Sequence, residues 1–312
     1  MQHIDELFRQ ITDQLIRNSR QDQEVDRDRV FQPANTANRV LVDEVIDKLV
    51  LPGSTIDGFD NLRELHTRAT HGESCLILME HYSNFDIPCL FYLADQFENG
   101  RQVTDSVVAM AGTKLNEESR FILAFTEAYT RLVIYPARLL SALEGTDRYE
   151  QERARSRTIN RSALREMIRL KYSGHMVLLF PAGTRYRPGK PETKDILLEV
   201  DSYIKGFDHL VFVGIAGNTL EVSTAGNMDK DIPATDVMVY SVSEVTNAAE
   251  FRNAARGRAP EGGDAAKRAV TQAVQERFDE RHARAEAIRG EAVEKLAEQG
   301  IIPQSLNIIP PG

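Results

Sequence analysis

The sequence lacks long apolar runs and a signal peptide. Its longest apolar runs, 75–79, 176–182 and 210–216, are far shorter than the roughly 18–20 residues that a membrane-spanning helix requires. The N-terminus shows no basic segment followed by an apolar one, so no secretory signal is visible. We therefore expect a cytoplasmic protein, with peripheral contact to a membrane as an open alternative.

Other absences disfavour further classes of protein. The two cysteines, Cys75 and Cys89, lie in apolar stretches and predict buried free thiols rather than a disulfide framework. The seven histidines are scattered without the spacing of metal ligands, so we expect neither a metal nor a cofactor. The chain contains no Gly-x-Ser-x-Gly sequence, which disfavours a serine hydrolase.

The charge is unevenly distributed along the chain. The net charge of −9 argues against a nucleic-acid-binding protein. Residues 148–190 nevertheless carry a local charge of +8, which leaves −17 for the rest of the chain. Such a basic block predicts a site for an anionic partner, such as an acidic carrier protein or anionic lipid headgroups. A solvated arginine-rich helix is the alternative.

The sequence pattern changes near residue 70. Apolar residues recur at helical spacing in 3–17 and 36–50, and a third short helix is predicted over 59–67. Beyond this point short apolar runs alternate with helical patterns, which predicts a mixed, mostly parallel central sheet flanked by helices. We predict an α/β fold, with an N-terminal helical region at 1–70 and an α/β domain at 71–312.

The predicted elements of the second region follow from this alternation. The strands share short apolar runs and are 75–80, 107–111, 131–135, 176–180 and 211–216, with an edge strand at 237–240. The helices share apolar residues at helical spacing and are 86–97, 116–129, 153–172 and 196–205. A C-terminal helical extension over about 246–300 comprises a helix at 246–256 and a long helix at 265–298. Asp264 is its expected N-cap, a break near Gly290 stays open, and 301–312 is expected to be extended.

A histidine and an aspartate follow the first of these strands. The segment 81–86 reads His-Tyr-Ser-Asn-Phe-Asp and places His81 at the carboxyl edge of the sheet, where open α/β folds bind ligands. A turn can bring Asp86 to one nitrogen of the imidazole, so that the other nitrogen acts as a base on an alcohol. The spacing alone is weak evidence, because a histidine packed near the start of a helix is common.

A basic turn follows another predicted strand. The segment 180–190 reads Phe-Pro-Ala-Gly-Thr-Arg-Tyr-Arg-Pro-Gly-Lys, in which proline and glycine predict a turn ahead of Arg185 and Arg187. Guanidinium groups bind phosphate through two hydrogen bonds, so the segment predicts a phosphate site beside His81. A solvent-exposed basic loop is the alternative. Lys114 and Arg138 also follow predicted strands, and each is either a further anion contact or a surface cation.

These motifs together resemble the glycerolipid acyltransferase family, which includes glycerol-3-phosphate and lysophosphatidate (1-acylglycerol-3-phosphate) acyltransferases. Segment 81–86 is similar to the H-x4-D motif of that family, and 180–185 is similar to its F-P-E-G-T-R motif. Residues 114–138 resemble its intermediate block, and 211–216 occupies the place of its last apolar strand. The resemblance covers roughly residues 70–220 and depends on the order of the paired motifs.

The resemblance implies an acyltransferase of phospholipid biosynthesis. Its acyl donor would be acyl-CoA or an acyl carrier protein thioester as co-substrate, and its acceptor would be the hydroxyl of glycerol 3-phosphate or of lysophosphatidate. His81 would be the general base and Asp86 its partner. The residues that it implies for binding the phosphate-bearing acceptor are Arg138, Arg185, Arg187, Gly183, Thr184 and Lys114.

The chain also departs from the family pattern. Ala182 stands where the motif has glutamate, Pro136 and Ala137 stand where an acidic residue often precedes the arginine, and 214–216 contains no proline. The Arg-x-Arg-Pro pattern at 185–188 and the N-terminal helical region resemble the soluble, plastid-type glycerol-3-phosphate acyltransferases. A non-catalytic lipid- or carrier-binding protein is the alternative of another class, and Ala182 is its main support.

Overall fold

A large sheet lies at the centre of the protein. The computed structural model describes residues 8–20, 24–117, 119–222, 230–259 and 261–307. Within these ranges the fold is mixed α/β, with a mostly parallel sheet flanked by helices and a long C-terminal helix. The predicted fold class is therefore confirmed. None of the described helices is both long and apolar enough to cross a membrane.

The strands of the described ranges are β1 (Phe31–Gln32), β2 (Thr55–Asp57), β3 (Cys75–Met79), β4 (Val107–Gly112), β5 (Arg131–Ile134), β6 (Met176–Leu179), β7 (His209–Ala216), β8 (Leu220–Glu221), β9 (Ile232–Pro233), β10 (Val239–Val242) and β11 (Thr246–Asn247). The main sheet has the order β1-β5-β4-β6-β3-β7-β10-β2, with β11 paired to β7. The five strands from β5 to β7 in this order are parallel. Their carboxyl ends therefore share one edge of the sheet.

The helices of the described ranges are α1 (Arg9–Asn18), α2 (Thr36–Asp47), α3 (Phe59–Thr70), α4 (Asp86–Ala94), α5 (Gly100–Asp105), α6 (Lys114–Glu117), α7 (Arg120–Thr126), α8 (Ala137–Ser141), α9 (Tyr149–Leu170), α10 (Val200–Lys205), α11 (Ala248–Arg256) and α12 (Gly263–Glu298). Short 3₁₀ helices cover Pro191–Lys194 and Gln304–Asn307.

Helices cover both faces of the sheet, which explains why its central strands are apolar throughout. Successive side chains of a strand point to opposite faces. Ile77 and Met79 of β3 pack with α2, α3 and α4, whereas Leu76 and Leu78 pack with α10, α11 and α12. The sequence of each central strand is therefore one continuous hydrophobic run, as is typical of a sheet buried on both sides.

The N-terminal residues take part in this sheet. The strands β1 and β2 lie at its two ends, and Val42 and Leu62 belong to the same core as β3. Both strands have three residues or fewer, which is too short for a recognisable alternating pattern. The domain division near residue 70 stays a prediction.

Several predicted elements have different bounds in the structure. The helix predicted over 116–129 is two helices, α6 and α7, because the Ser119 side chain caps α7 by accepting a hydrogen bond from the Ile122 amide (3.2 Å). The prediction that 237–240 forms an edge strand is wrong. The strand found there, β10, lies inside the sheet because β2 pairs along its other side.

The C-terminal elements also differ in detail. Thr246 and Asn247 form β11, so the helix predicted over 246–256 begins at Ala248. The long helix begins at Gly263 rather than after an Asp264 cap, and it continues through Gly290. The prediction of an extended tail is wrong at Gln304–Asn307, which forms a 3₁₀ turn. Residues 3–7 of the first predicted helix and 308–312 of the tail lie outside the described residues.

Both cysteines are buried free thiols, as predicted. Burial raises the pKa of Cys75 and of Cys89 to about 12. Neither thiol is therefore a nucleophile near neutral pH, because the thiolate is the reactive form.

The helix α12 crosses β7 in direct contact with its backbone at Gly214. A Cβ at this position would lie 2.5 Å from the main-chain carbon of Arg281 and 2.5 Å from the main-chain nitrogen of His282. Only a residue without a side chain lets the helix approach the strand this closely.

We expect Gly214→Ala to destabilise the protein by about 1–3 kcal/mol, because overpacking would push α12 away from the sheet. Gly290→Ala in the same helix is the matched control. Nothing lies within 4 Å of a Cβ there, and alanine favours a helix over glycine by about 0.5–1 kcal/mol. Urea unfolding measures both variants, and a Gly214→Ala protein as stable as wild type would contradict this packing.

Candidate active site

The carboxyl edge of the parallel strands carries the polar groups that the sequence singles out. The strand β3 ends at Met79, one residue earlier than predicted, so Glu80 and His81 lie just beyond it. The helix α4 begins at Asp86, as predicted. The neighbour of β3 in the sheet, β6, ends at Leu179 and leads into the basic turn.

The histidine and the aspartate form a pair. Nδ1 of His81 lies 2.8 Å from Oδ2 of Asp86, and the Asp86 side chain is only 1% exposed. The same carboxylate accepts hydrogen bonds from the backbone amides of Tyr82 (2.7 Å) and Ser83 (3.0 Å) and from the Ser83 hydroxyl (3.2 Å). These donors suit a carboxylate, which accepts and never donates.

The pairing determines which ring atom of His81 is available. If Nδ1 donates its proton to Asp86, Nε2 carries a lone pair. No hydrogen bond among the described residues occupies Nε2, and the His81 side chain is 17% exposed. The arrangement therefore leaves Nε2 without a hydrogen-bond partner among the described residues, on a side chain that is partly exposed.

The second motif is attached directly to the first. The Phe180 ring stacks on the His81 imidazole, with centroids 3.8 Å apart and an angle of 14° between the planes. The Tyr186 amide donates a hydrogen bond to the His81 carbonyl oxygen (2.8 Å). The sequence predicts Phe180 only as the end of a strand and gives no signal of its contact with the imidazole.

The two arginines of the turn have different surroundings. Arg185 is buried, and its guanidinium donates to the buried carboxylate of Asp231. Arg187 is half-buried, and its Nε has no hydrogen-bond partner among the described residues. Its backbone amide donates to Thr193 Oγ1 (2.9 Å), which closes the turn.

The turn depends on Gly183. Its φ is +64°, which glycine adopts without strain, and a Cβ would lie 2.8 Å from Leu197 Cδ1. Its amide donates to the Phe180 carbonyl oxygen (2.9 Å). The neighbouring Thr184 is half-buried.

Two further predicted cations lie farther along the same edge. Lys114 begins α6 after β4, and Arg138 lies in α8 after β5, and both are exposed. One strand separates β4 from β3 and two separate β5 from β3. At about 4.8 Å per strand, their backbones lie about 10 and about 14 Å from that of β3. Their roles as phosphate contacts stay predictions.

A shallow open cleft lies beside the imidazole, and the space in it that water can occupy is about 30 Å³. The side chains that bound it beside the imidazole are His81, Tyr82, Ala182, Tyr186, Lys194 and Gln275. Lys194 lies at the cleft with its Nζ over the rings of Tyr82 (5.0 Å) and Tyr186 (4.6 Å).

Glu80, just beyond β3, connects this strand to the C-terminal helix α12. Its carboxylate accepts hydrogen bonds from the Tyr82 hydroxyl (2.8 Å) and the Ile215 amide (2.9 Å). It also lies 3.2 Å from Nδ1 of His282 on α12. Sequence reasoning missed this network, and its only local signal is a carboxylate that ends an apolar run.

The described residues contain no group of three or more His, Cys, Asp or Glu side chains that could hold a metal ion.

Comparisons with known proteins add no assignment. No protein-family model matches the sequence, and no curated protein matches it.

We expect Asp86→Asn to destabilise the protein by about 1–3 kcal/mol, because one amide NH₂ would face backbone N–H donors in place of an acceptor. Ser83→Ala is the comparison variant, because it removes the hydroxyl's hydrogen bond to the same carboxylate and the one that this hydroxyl accepts from the Phe85 amide (3.1 Å), each worth about 0.5–1.5 kcal/mol. Urea unfolding measures both. An Asp86→Asn protein as stable as wild type would show that the carboxylate does not organise this turn.

The contact between Glu80 and His282 predicts a pH dependence of stability. The hydrogen bond to Glu80 raises the pKa of His282 above its ordinary value, although burial opposes this. A histidine whose pKa is higher in the folded than in the unfolded protein stabilises the folded state. This contribution is complete below the unfolded pKa of about 6.5 and is lost as pH rises through the folded pKa.

We therefore expect the unfolding free energy of wild type, relative to His282→Gln, to decrease as pH rises above about 6.5. Urea unfolding of both proteins at several values between about pH 5 and 8 tests this. The difference between the two proteins isolates His282 from the other histidines. A difference that is constant across this range would contradict the assignment.

Proposed function

We propose that this protein is an O-acyltransferase, which moves a fatty acyl group from an acyl thioester to the hydroxyl of glycerol 3-phosphate. The observation that carries the proposal is the 2.8 Å pair of His81 and Asp86 at the carboxyl edge of the sheet. The cleft beside this pair and the attached arginine turn support it.

In this proposal the imidazole is the general base. Nε2 of His81 takes the proton of the acceptor hydroxyl as its oxygen attacks the thioester carbonyl carbon. The carbon–sulfur bond then breaks, and the leaving thiolate takes the proton back from the imidazolium, which yields an ester and a free thiol. Asp86 holds the tautomer and stabilises the imidazolium, as the carboxylate does in a catalytic triad.

The ring of Phe180 and the turn at Ser83 position the base. Stacking at 3.8 Å restricts rotation of the imidazole, and the hydrogen bonds to Asp86 fix the carboxylate opposite it. A base held in this way loses little conformational freedom when the acceptor binds, which is the origin of much of the rate gain in positioned reactions.

The arginine turn is proposed to bind the acceptor phosphate. Arg187 is the less committed of its two arginines, because its guanidinium has no hydrogen bond or ion pair with a described residue, although its Nε is buried. Arg185 is paired with buried Asp231, so a phosphate that binds it must share the guanidinium with this carboxylate. Lys114 and Arg138 are secondary candidates along the same edge.

We expect purified wild-type protein to transfer the palmitoyl group from palmitoyl-CoA, or from palmitoyl-acyl carrier protein, to glycerol 3-phosphate. His81→Ala should lower the rate by about 10²–10⁴-fold, because the alcohol loses its base. His71→Ala is the matched control, since His71 is exposed and contacts only its own helix through Thr67.

The remaining outcomes separate the alternatives. Product from lysophosphatidate but not from glycerol 3-phosphate would support the proposed mechanism and identify lysophosphatidate as the acceptor. Wild-type protein without product from either acceptor and either donor would contradict the proposal. Equal rates for wild type and His81→Ala would contradict the role of the imidazole.

A further inference from the structure

The helix α9 presents two different faces. Its buried residues, Ile159, Ala163 and Leu170 among them, pack against β5. The opposite face is exposed and carries, at spacings of three or four residues, Arg157, Arg161, Leu164, Arg165, Ile168 and, just beyond the helix, Tyr172. We call these six residues the α9 outer face.

The arginines of the α9 outer face lack carboxylate partners. The arginines at its borders are paired, Arg153 with Glu150 (3.6 Å) and Arg169 with Glu166 (2.9 Å). Arg157, Arg161 and Arg165 have no ion pair with any described residue. Three exposed positive charges therefore stand together on a protein whose net charge is −9.

The apolar residues of the α9 outer face are unusual for a protein surface. Leu164, Ile168 and Tyr172 are 52%, 49% and 56% exposed. They are three of the eight large hydrophobic side chains that are largely exposed in the described residues. Single exposed apolar residues need no explanation, whereas a row of them along one helix marks a contact surface.

We propose that the α9 outer face binds the surface of an anionic phospholipid bilayer. The arginines bind headgroup phosphates, and the three apolar side chains enter the acyl boundary beneath them. A bilayer offers a layer of phosphates directly above an apolar layer, so one surface accommodates both kinds of side chain.

The overall charge favours one orientation on such a surface. A basic face on an acidic protein is the side that an anionic bilayer attracts, while the remaining surface is repelled. The Asn160 side chain holds the backbone of Tyr135, just beyond β5, through two hydrogen bonds (2.8 and 3.0 Å). The N-terminal part of α9, towards Arg157, therefore lies at the edge of the sheet that carries His81.

This inference is independent of the proposed function, because the α9 outer face contains none of the residues assigned to the site. Its test uses the intact protein and lipid vesicles without substrate. Two vesicle types serve as probes, pure phosphatidylcholine and phosphatidylcholine mixed with phosphatidylglycerol, and co-sedimentation measures the bound fraction at low and high salt.

We expect wild-type protein to bind the phosphatidylglycerol vesicles and not pure phosphatidylcholine. The triple variant Arg157→Gln, Arg161→Gln and Arg165→Gln should lose about 100-fold in affinity. The matched control removes three exposed arginines elsewhere on the protein that also have no ion pair with a described residue, through Arg17→Gln, Arg120→Gln and Arg268→Gln, and it should bind as wild type does. Both variants have the same net charge, so a difference between them reports the location of the arginines.

A second pair of substitutions tests the apolar contribution. Leu164→Ser with Ile168→Ser keeps every charge, and both side chains are about half exposed, so little packing within the protein is lost. We expect this variant to bind the anionic vesicles more weakly than wild type and to lose the binding that wild type retains at high salt.

Three results would overturn the proposal. These are wild-type protein that stays unbound with anionic vesicles at low salt, equal binding by the two arginine triples, and an apolar variant that binds like wild type. Capture of acyl carrier protein through the same arginines, without vesicle binding, would assign the face to an acidic protein instead.

Discussion

The parallel alignment of five strands is the constraint on which the rest of this structure depends. Three of these strands, β6, β3 and β7, are covered by helices on both faces, so polar side chains have little room along their lengths. Polar groups are therefore displaced to the loops that follow the strands, and parallel alignment places those loops on one edge. The imidazole, the arginine turn and both outlying cations lie there for this single reason.

Within that edge the two motifs act as one unit. The ring that begins the second motif, Phe180, stacks on the imidazole of the first, and the amide of Tyr186 holds the carbonyl of His81. Asp86 thus holds the imidazole of the proposed base through Nδ1, and Phe180 covers one face of its ring. A change in the arginine turn is consequently transmitted to the base through a direct contact.

The sequence predicted the central strands and the approach of His81 to Asp86, because apolar runs and a five-residue spacing are local signals. It did not predict β1 or β2, whose two or three residues carry no period. The contact of Glu80 with His282 joins residues 202 positions apart, and that of Arg185 with Asp231 joins residues 46 apart. Such contacts depend on how the elements pack in three dimensions, which no local pattern records.

The position of α12 determines when the site is completed as the chain folds. The helix follows every strand of the main sheet in sequence, yet it lies against β7 at Gly214 and reaches Glu80 through His282. A nascent chain emerges from its N-terminus, so β3 and its histidine are synthesised long before the helix that supports them. Contacts this distant in sequence also form late, because closing a long loop costs entropy first. A partly synthesised chain therefore carries both motifs but not the support of the strand that bears the proposed base.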